Sequence, residues 1–418
     1  MTANGIGGWA ATVNTNDGPY VVGRVSSTST AGPILRGASV GITGGFGQTV
    51  GLDNLGRALV SGGNRYVLGT TISSTTFLQA STALPEPLAG LMNASGRLGG
   101  DIFWVFGLTH LGTPVYRAVG RNAAGTVNER WAMVRGLPDG SPTIIAQTLQ
   151  PVPNLIGPIT GEPLTLSAVG SARAFGVGAS SFSRVGDQTI VEGILRTGVD
   201  GVTTNDDQVM LVNGQALVLG GSVVRERTLI SPSIGGQPQE DWRVFRSAAI
   251  NSSGKYLFTA QAFQVGGGFR ELLVKDGQIL YRTGSTLTFG STTLTITDAS
   301  ATYPVAINES GDWAAVLSTN AGRAIVVNGT PLLLQNVSGV DTTGDGIPNA
   351  TLNFISADIG RLALGERGSF GQFELFFYGS TSTAASPLSV MSVVVPEPAA
   401  AGGVAVAALA VLRRRVRR

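Results

Sequence analysis

The chain contains no cysteine and a single histidine, His110. The first absence excludes disulfides, thiolate metal sites and cysteine nucleophiles. The second excludes a zinc site built from several histidines, and it obliges any Ser-His-Asp arrangement to use His110. That residue falls in Thr109-His110-Leu111-Gly112, which reads as a surface turn. Charge is scarce too, at 13% of residues. Lys and Arg total 28 against 26 Asp and Glu, but five arginines and Glu397 lie beyond Val395, and the remaining body, at 23 against 25, is slightly acidic. With no basic stripe before residue 413, nucleic acid is not an expected partner. Long stretches of 3.6-residue periodicity are missing before the C-terminus, which removes α/β folds.

What is present is glycine, 60 of 418 residues, with abundant Val, Thr, Ser and Leu. That is the composition of many short strands joined by tight turns. The segment from Ala306 to Gln335 shows the pattern. Asn308-x-x-Gly311 is a turn, Trp313 to Leu317 a strand, Asn320-x-Gly322 a second turn, and Asn328-Gly329 a tight hairpin between apolar runs. An Asn-Gly pair there signals a type I′ turn, because two successive residues must take positive φ. The same template opens the chain, where Asn4-x-x-Gly7-x-Trp9-Ala10-Ala11 matches Asn308-x-x-Gly311-x-Trp313-Ala314-Ala315 without a gap. Weaker copies are Asp53-x-x-Gly56, Asn93-x-x-Gly96, Asn251-x-x-Gly254 and Ala357-x-x-Gly360, with Ser167-x-x-Gly170 as the best candidate in the long interval between them. Asp139-Gly140, Asn213-Gly214 and Asp276-Gly277 repeat the hairpin marker.

Units of about 40 to 55 residues with roughly four strands each predict an all-β fold, a β-propeller of six to eight blades with seven preferred. Length alone permits two or three domains, but repetition argues for one, spanning 1–380. In this reading Ala350 to Ile355 is the fourth strand of its unit, and strands from both chain ends pair to close the ring. A pair of β-sandwiches or a β-solenoid is the runner-up. Residues 381–395 read as a linker or a last edge strand, and 396–418 as a separate tail.

The tail runs Pro396-Glu397-Pro398, then Ala399 to Leu412 without a charge, then Arg413, Arg414, Arg415, Arg417 and Arg418 around Val416. The prolines allow a helix only after them. A helix over 399–412 would be about 21 Å long, against a hydrocarbon core of about 30 Å, with the terminal arginines retained on the cytoplasmic side. This order of parts resembles the PEP-CTERM sorting signal. The resemblance covers the tail alone. It implies export, temporary membrane retention, and an exosortase-type transpeptidase as partner acting near Pro396-Glu397-Pro398. It also leads to the expectation that the natural start lies upstream of Met1, since Met1 to Gly5 has neither a basic nor an apolar leader region. The body is similar to degenerate repeat proteins of the bacterial cell surface.

One loop in the body has the oxygens of a Ca²⁺ site: Asp341, Thr343, Asp345 and Asn349, near Gly346. Hard cations want carboxylate, hydroxyl and carbonyl oxygens at alternate positions, although Leu352 stands where a bidentate Glu would belong. Asp101, Glu129, Glu162, Glu192, Asp241, Glu271 and Asp312 are scattered and read as solvated strand-edge residues. Trp9 and Trp313, at equivalent repeat positions, read as blade packing rather than sugar stacking. Gly266-Gly267-Gly268 reads as a turn. The resulting expectation is an exported, non-enzymatic binding or structural protein of the envelope or exopolysaccharide matrix. A secreted carbohydrate-active enzyme is the alternative, discriminated by whether carboxylates converge in one cleft.

Overall fold

The computed structural model describes residues 1–15, 17–43, 46, 50–62, 65–70, 72–79, 82–92, 105–121, 128–169, 180–297, 304–343, 345–358, 361–369, 371–382, 389–396 and 413–414. Among these residues, antiparallel strands form the seven blades of a β-propeller. Blade six is representative: Val305–Ile307 lies innermost, followed outward by Trp313–Thr319, Gly322–Val327 and Thr330–Leu334. The innermost strands of the other blades, in chain order, are Thr2–Ala3, Gly51–Leu52, Val105–Leu108, Ser181–Phe182, the end of Glu240–Ile250, and Leu362–Leu364.

Alternation along a strand sends successive side chains to opposite faces. In a propeller both faces meet a neighbouring blade, so the strands read as continuous apolar runs. Trp313, Ala315 and Leu317 pack toward blade five, whereas Ala314 and Val316 pack toward blade seven. Among the described residues, seven apolar clusters occupy the seven blade-to-blade interfaces in this way. Trp9 and Trp313 belong to two of them and are almost wholly buried.

Several local expectations need correction. Ala350–Ile355 is not the outer strand of blade six. It pairs with Phe373–Thr381 of blade seven. The strand missed in the sequence is the innermost one, only three residues long in blade six and too short for a periodic signal. Ser167 lies within the strand Pro163–Val169, which joins the sheet of blade four, and is not a turn residue. Ala357 precedes the inner strand of blade seven, whose following turn is Gly365-Glu366-Arg367-Gly368. Asn93-x-x-Gly96, Gly170 and Gly360 lie outside the described residues. Asn213-Gly214, Asp276-Gly277 and Asn328-Gly329 do form two-residue turns with positive φ at both positions. Asp139-Gly140 does not; Gly140 N–H donates to Leu137 O within a longer loop.

The ring does not close by pairing strands from the two chain ends. Blade one takes its four strands from residues 2–36, and blade seven from the C-terminal part. The two meet face to face, with Trp9 and Phe376 rings 5.9 Å apart and Ala3, Ala11, Tyr378 and Val390 in the same cluster. Tyr378 Oη donates to Thr12 O at 2.9 Å, and Arg24 pairs with Glu374. Ser389–Val395 pairs with Phe373–Thr381 along its full length, and Arg413–Arg414 pair beyond it with Ser392 and Met391. Glu397, Pro398, 399–412, Arg415, Arg417 and Arg418 lie outside the described residues, as does the helix expected there. No helix among the described residues is long and apolar enough to cross a membrane. Because side-chain contacts and not a shared sheet join these two blades, with Phe376 fully buried at their centre, Phe376→Ala is expected to lower the unfolding free energy by about 3–5 kcal/mol, measured by chemical denaturation.

Candidate functional site at the end of the central channel

The turns after the inner strands of blades one, two, three, five and six are built on one pattern, and blades four and seven hold looser turns at the same place, closed by Ser183 N on Gln188 O and by Gly365 N on Glu374 O. In blade six, Asn308 Oδ1 accepts from Asp312 N, and the Asn308 and Gly311 backbone N–H groups close the turn onto Asp312 O and Asn308 O. The same contact joins Asn4 to Gly8, Asp53 to Arg57, Thr109 to Thr113 and Asn251 to Lys255. Gly7, Gly56, Gly112, Gly254 and Gly311 all take positive φ in these turns, which glycine adopts without strain. Thr109-His110-Leu111-Gly112 and Ser183-Arg184-Val185-Gly186 are therefore repeat units that sequence matching missed. A threonine oxygen accepts as well as an asparagine oxygen, so the first position need not be Asx.

Asparagine does one thing that the others do not. Its Nδ2 donates to the carbonyl at the same position of the next blade: Asn4 to Asp53 O, Asn251 to Asn308 O and Asn308 to Gly365 O. The last two steps each span 57 residues. Asn308→Asp keeps the acceptor, removes the donor and sets a carboxylate beside Asp312. A loss of about 1–3 kcal/mol is expected in denaturant titration, the cost of stripping a buried carbonyl of its partner.

The second position of each turn faces its neighbours around the ring. These residues are Gly5, Asn54, His110, Arg184, Ser252, Glu309 and Glu366. Gly5 N donates to Asn54 Oδ1, Asn54 N to His110 O, and His110 N to Arg184 O. Across the ring, the two Glu309 oxygens accept from Val185 N at 3.0 Å and Ser252 N at 2.7 Å, tying blades four and five to blade six. Glu309 N in turn donates to the Glu366 carboxylate. Beside them Asp312 accepts a bidentate pair from Arg367, at 2.7 and 2.6 Å, and a bond from Asn328. Burial would raise the Asp312 carboxyl, but hydrogen bonds from Arg367, Asn308 and Asn328 hold it below the ordinary range.

His110 is buried rather than on an open surface loop. Burial, and next the Arg184 charge, lower it to about 4, so it is neutral near pH 7. Burial also pushes Glu366 up to about 7, aided by the Glu309 charge and opposed by backbone N–H donors from Glu309 and Ser310. Beneath this ring lies a cavity of about 140 Å³ lined by residues at or beside all seven inner strands, Ala3, Val50, Phe106, Phe182, Val305 and Leu362 among them, together with Arg184 and Glu366.

The remaining candidate residues fall elsewhere. Glu192, Glu271 and Asp312 are buried, not solvated edges, and Glu271 contacts Arg246 and Gln261. Asp241 pairs with Arg243, and Glu162 is exposed. Asp101 and the Glu129 side chain lie outside the described residues. Asp341, Thr343, Asp345 and Asn349 do share one loop. Asp341 accepts from Thr343 N and Gly346 N, Asp345 from Ile347 N, and Asn349 from Thr342 N while donating to Thr343 Oγ1. No cluster of three His, Cys, Asp or Glu side chains placed to hold a metal occurs among the described residues. The carboxylates that do converge, Glu309 and Glu366, were not singled out in the sequence. Aligning Gly365-Glu366-Arg367-Gly368 with Asn308-Glu309-Ser310-Gly311 is the signal that would have found them.

No family model matches this chain, and no curated protein does either. Among solved structures it is similar to a chain from a structural and mechanistic study of two prolyl endopeptidases, at 10% identity and a TM-score of 0.41, covering 95% of this chain and 54% of that one. This chain thus spans about half of that protein's length. A protein from Lactobacillus plantarum is similar at 9% identity and a TM-score of 0.33, covering 94% and 97%. Neither likeness carries an activity across.

A raised carboxylate binds its proton more tightly in the folded chain than in the unfolded one, so ionising it costs stability. For Glu366 that cost is absent below the ordinary carboxylate value of 4.5, grows as pH rises to about 7, and is constant above. Glu366→Gln should therefore gain in stability relative to the parent across that window, seen as a difference in denaturation midpoints measured from pH 4 to 8.

Proposed function

We propose that this chain is an exported cell-surface propeller, a non-enzymatic binding or structural component of the envelope or exopolysaccharide matrix, addressed by its C-terminal tail. The observation that carries the reading is the order of the tail's parts: Pro396-Glu397-Pro398, an uncharged stretch over 399–412, and Arg413, Arg414, Arg415, Arg417 and Arg418. An apolar stretch followed by arginines is retained in a membrane with its charges on the cytoplasmic side. The body then faces outward, and an exosortase-type transpeptidase acts near the Pro-Glu-Pro motif. A polysaccharide or another surface protein is the ligand class that suits a rigid propeller at that location.

The non-enzymatic part of the reading draws on the ring. A glycosidase pair needs one carboxyl free to protonate the leaving group and another free to attack or to activate water. Glu309 uses both oxygens on backbone donors of two blades, and Glu366 accepts from the backbone of the blade-six turn. The second reading, a secreted carbohydrate-active enzyme, draws on Glu366 being held near neutrality beside Glu309.

The test is an intact mass of the native protein in surface and secreted fractions. Processed material should lack the arginine cluster, and replacing Pro396-Glu397-Pro398 with alanines should leave the full-length species in the membrane fraction. Secreted protein that still carries Arg413 to Arg418 would sink the reading.

A further inference from the structure

Arg184 differs from Arg57 and Arg367, the arginines that stand in the turns of blades two and seven. Its Nη1 donates to Leu108 O at 2.9 Å, and its guanidinium lies 5.0 Å from the Phe182 ring centroid. Gly107 makes room for it, since a Cβ there would stand 2.5 Å from Nη1. No carboxylate lies within ion-pair distance of Arg184 among the described residues, whereas Arg24, Arg57, Arg225, Arg282 and Arg367 each have one. Glu309 and Glu366 are near enough to raise its pKa, yet burial still brings it down to about 10. A partly buried cation that borders a cavity without a direct ion pair stays incompletely compensated, and an anion entering the cavity relieves that cost.

We propose that the central cavity is a binding site for a small monocarboxylate with a short apolar body, its carboxylate held by the free N–H groups of Arg184. The planar guanidinium fork matches two carboxylate oxygens. Phe106, Phe182, Val305 and Leu362 supply the apolar wall for the rest of the molecule. Glu366, which itself lines the cavity, and the Glu309 carboxylate beside it disfavour a doubly charged anion, which favours a carboxylate over phosphate. A volume of about 140 Å³ limits the ligand to a few heavy atoms beyond the carboxylate. The site is independent of the fate of the tail, so its failure would leave the sorting reading untouched.

The experiment is a titration of the purified full-length chain with propionate, acetate and phosphate at ionic strength fixed by sodium chloride, read by thermal unfolding and by isothermal calorimetry. Propionate should raise Tm by a few degrees in a saturable way at one site per chain, acetate less so. Arg184→Met should abolish the response. Ala248→Leu, which fills the cavity and leaves Arg184 in place, should abolish it too and decides the matter if the arginine variant fails to fold. The absence of a saturable response in the parent chain, its survival in Arg184→Met, or a phosphate response as large as that to propionate would each overturn the assignment.

Discussion

An asparagine amide that accepts inside its own turn and donates to the carbonyl of the next blade is the contact around which this molecule is arranged. The turn requires an oxygen four residues ahead of an N–H, and the ring requires a donor aimed sideways. Asn4, Asn251 and Asn308 meet both requirements with one side chain. Asp53 and Thr109 keep the first contact, while their blades are joined through the backbone N–H groups of Asn54 and His110. The interior apolar clusters supply most of the burial. The turn contacts add direction, setting each blade at a fixed rotation from the last.

The same ring collects charge. Because the second turn residue points along the ring, whatever occupies it is drawn to one end of the channel. Here those residues include a neutral histidine, an arginine with no carboxylate in ion-pair contact among the described residues, and two glutamates. Glu309 spans three blades through two backbone donors and ties together the part of the ring where blade four lacks an Asx residue. Both of its oxygens are taken up by these backbone donors, and Arg184 lines the cavity next to it.

Much of the architecture was legible from residues. The Asn-Gly and Asp-Gly hairpins at 213, 276 and 328 declare themselves because a type I′ turn restricts two successive residues, and the Asn4 and Asn308 copies match because the first and fourth turn positions and the buried strand after them are constrained. Where a constraint falls on the backbone alone, the signal fades. Thr109-x-x-Gly112, Ser183-x-x-Gly186 and Gly365-x-x-Gly368 hold the same place with different first residues, and inner strands of two to four residues have no period to read. Ser167 and Ala357 fit the loose pattern by composition and occupy other geometry. Glu309 and Glu366 were passed over for the same reason.

The sequence by itself determined an all-β chain of repeated four-strand units, the identity of its tightest turns and the order of its tail, since each follows from local backbone demands or from uninterrupted apolarity. The tertiary structure decided how the circle closes, through Trp9 against Phe376 instead of a shared sheet, and which side chains meet at the channel. Those outcomes depend on contacts between residues as much as 366 positions apart, such as Tyr378 and Thr12. Local propensity carries no information about such pairs. They exist only once the blades are stacked.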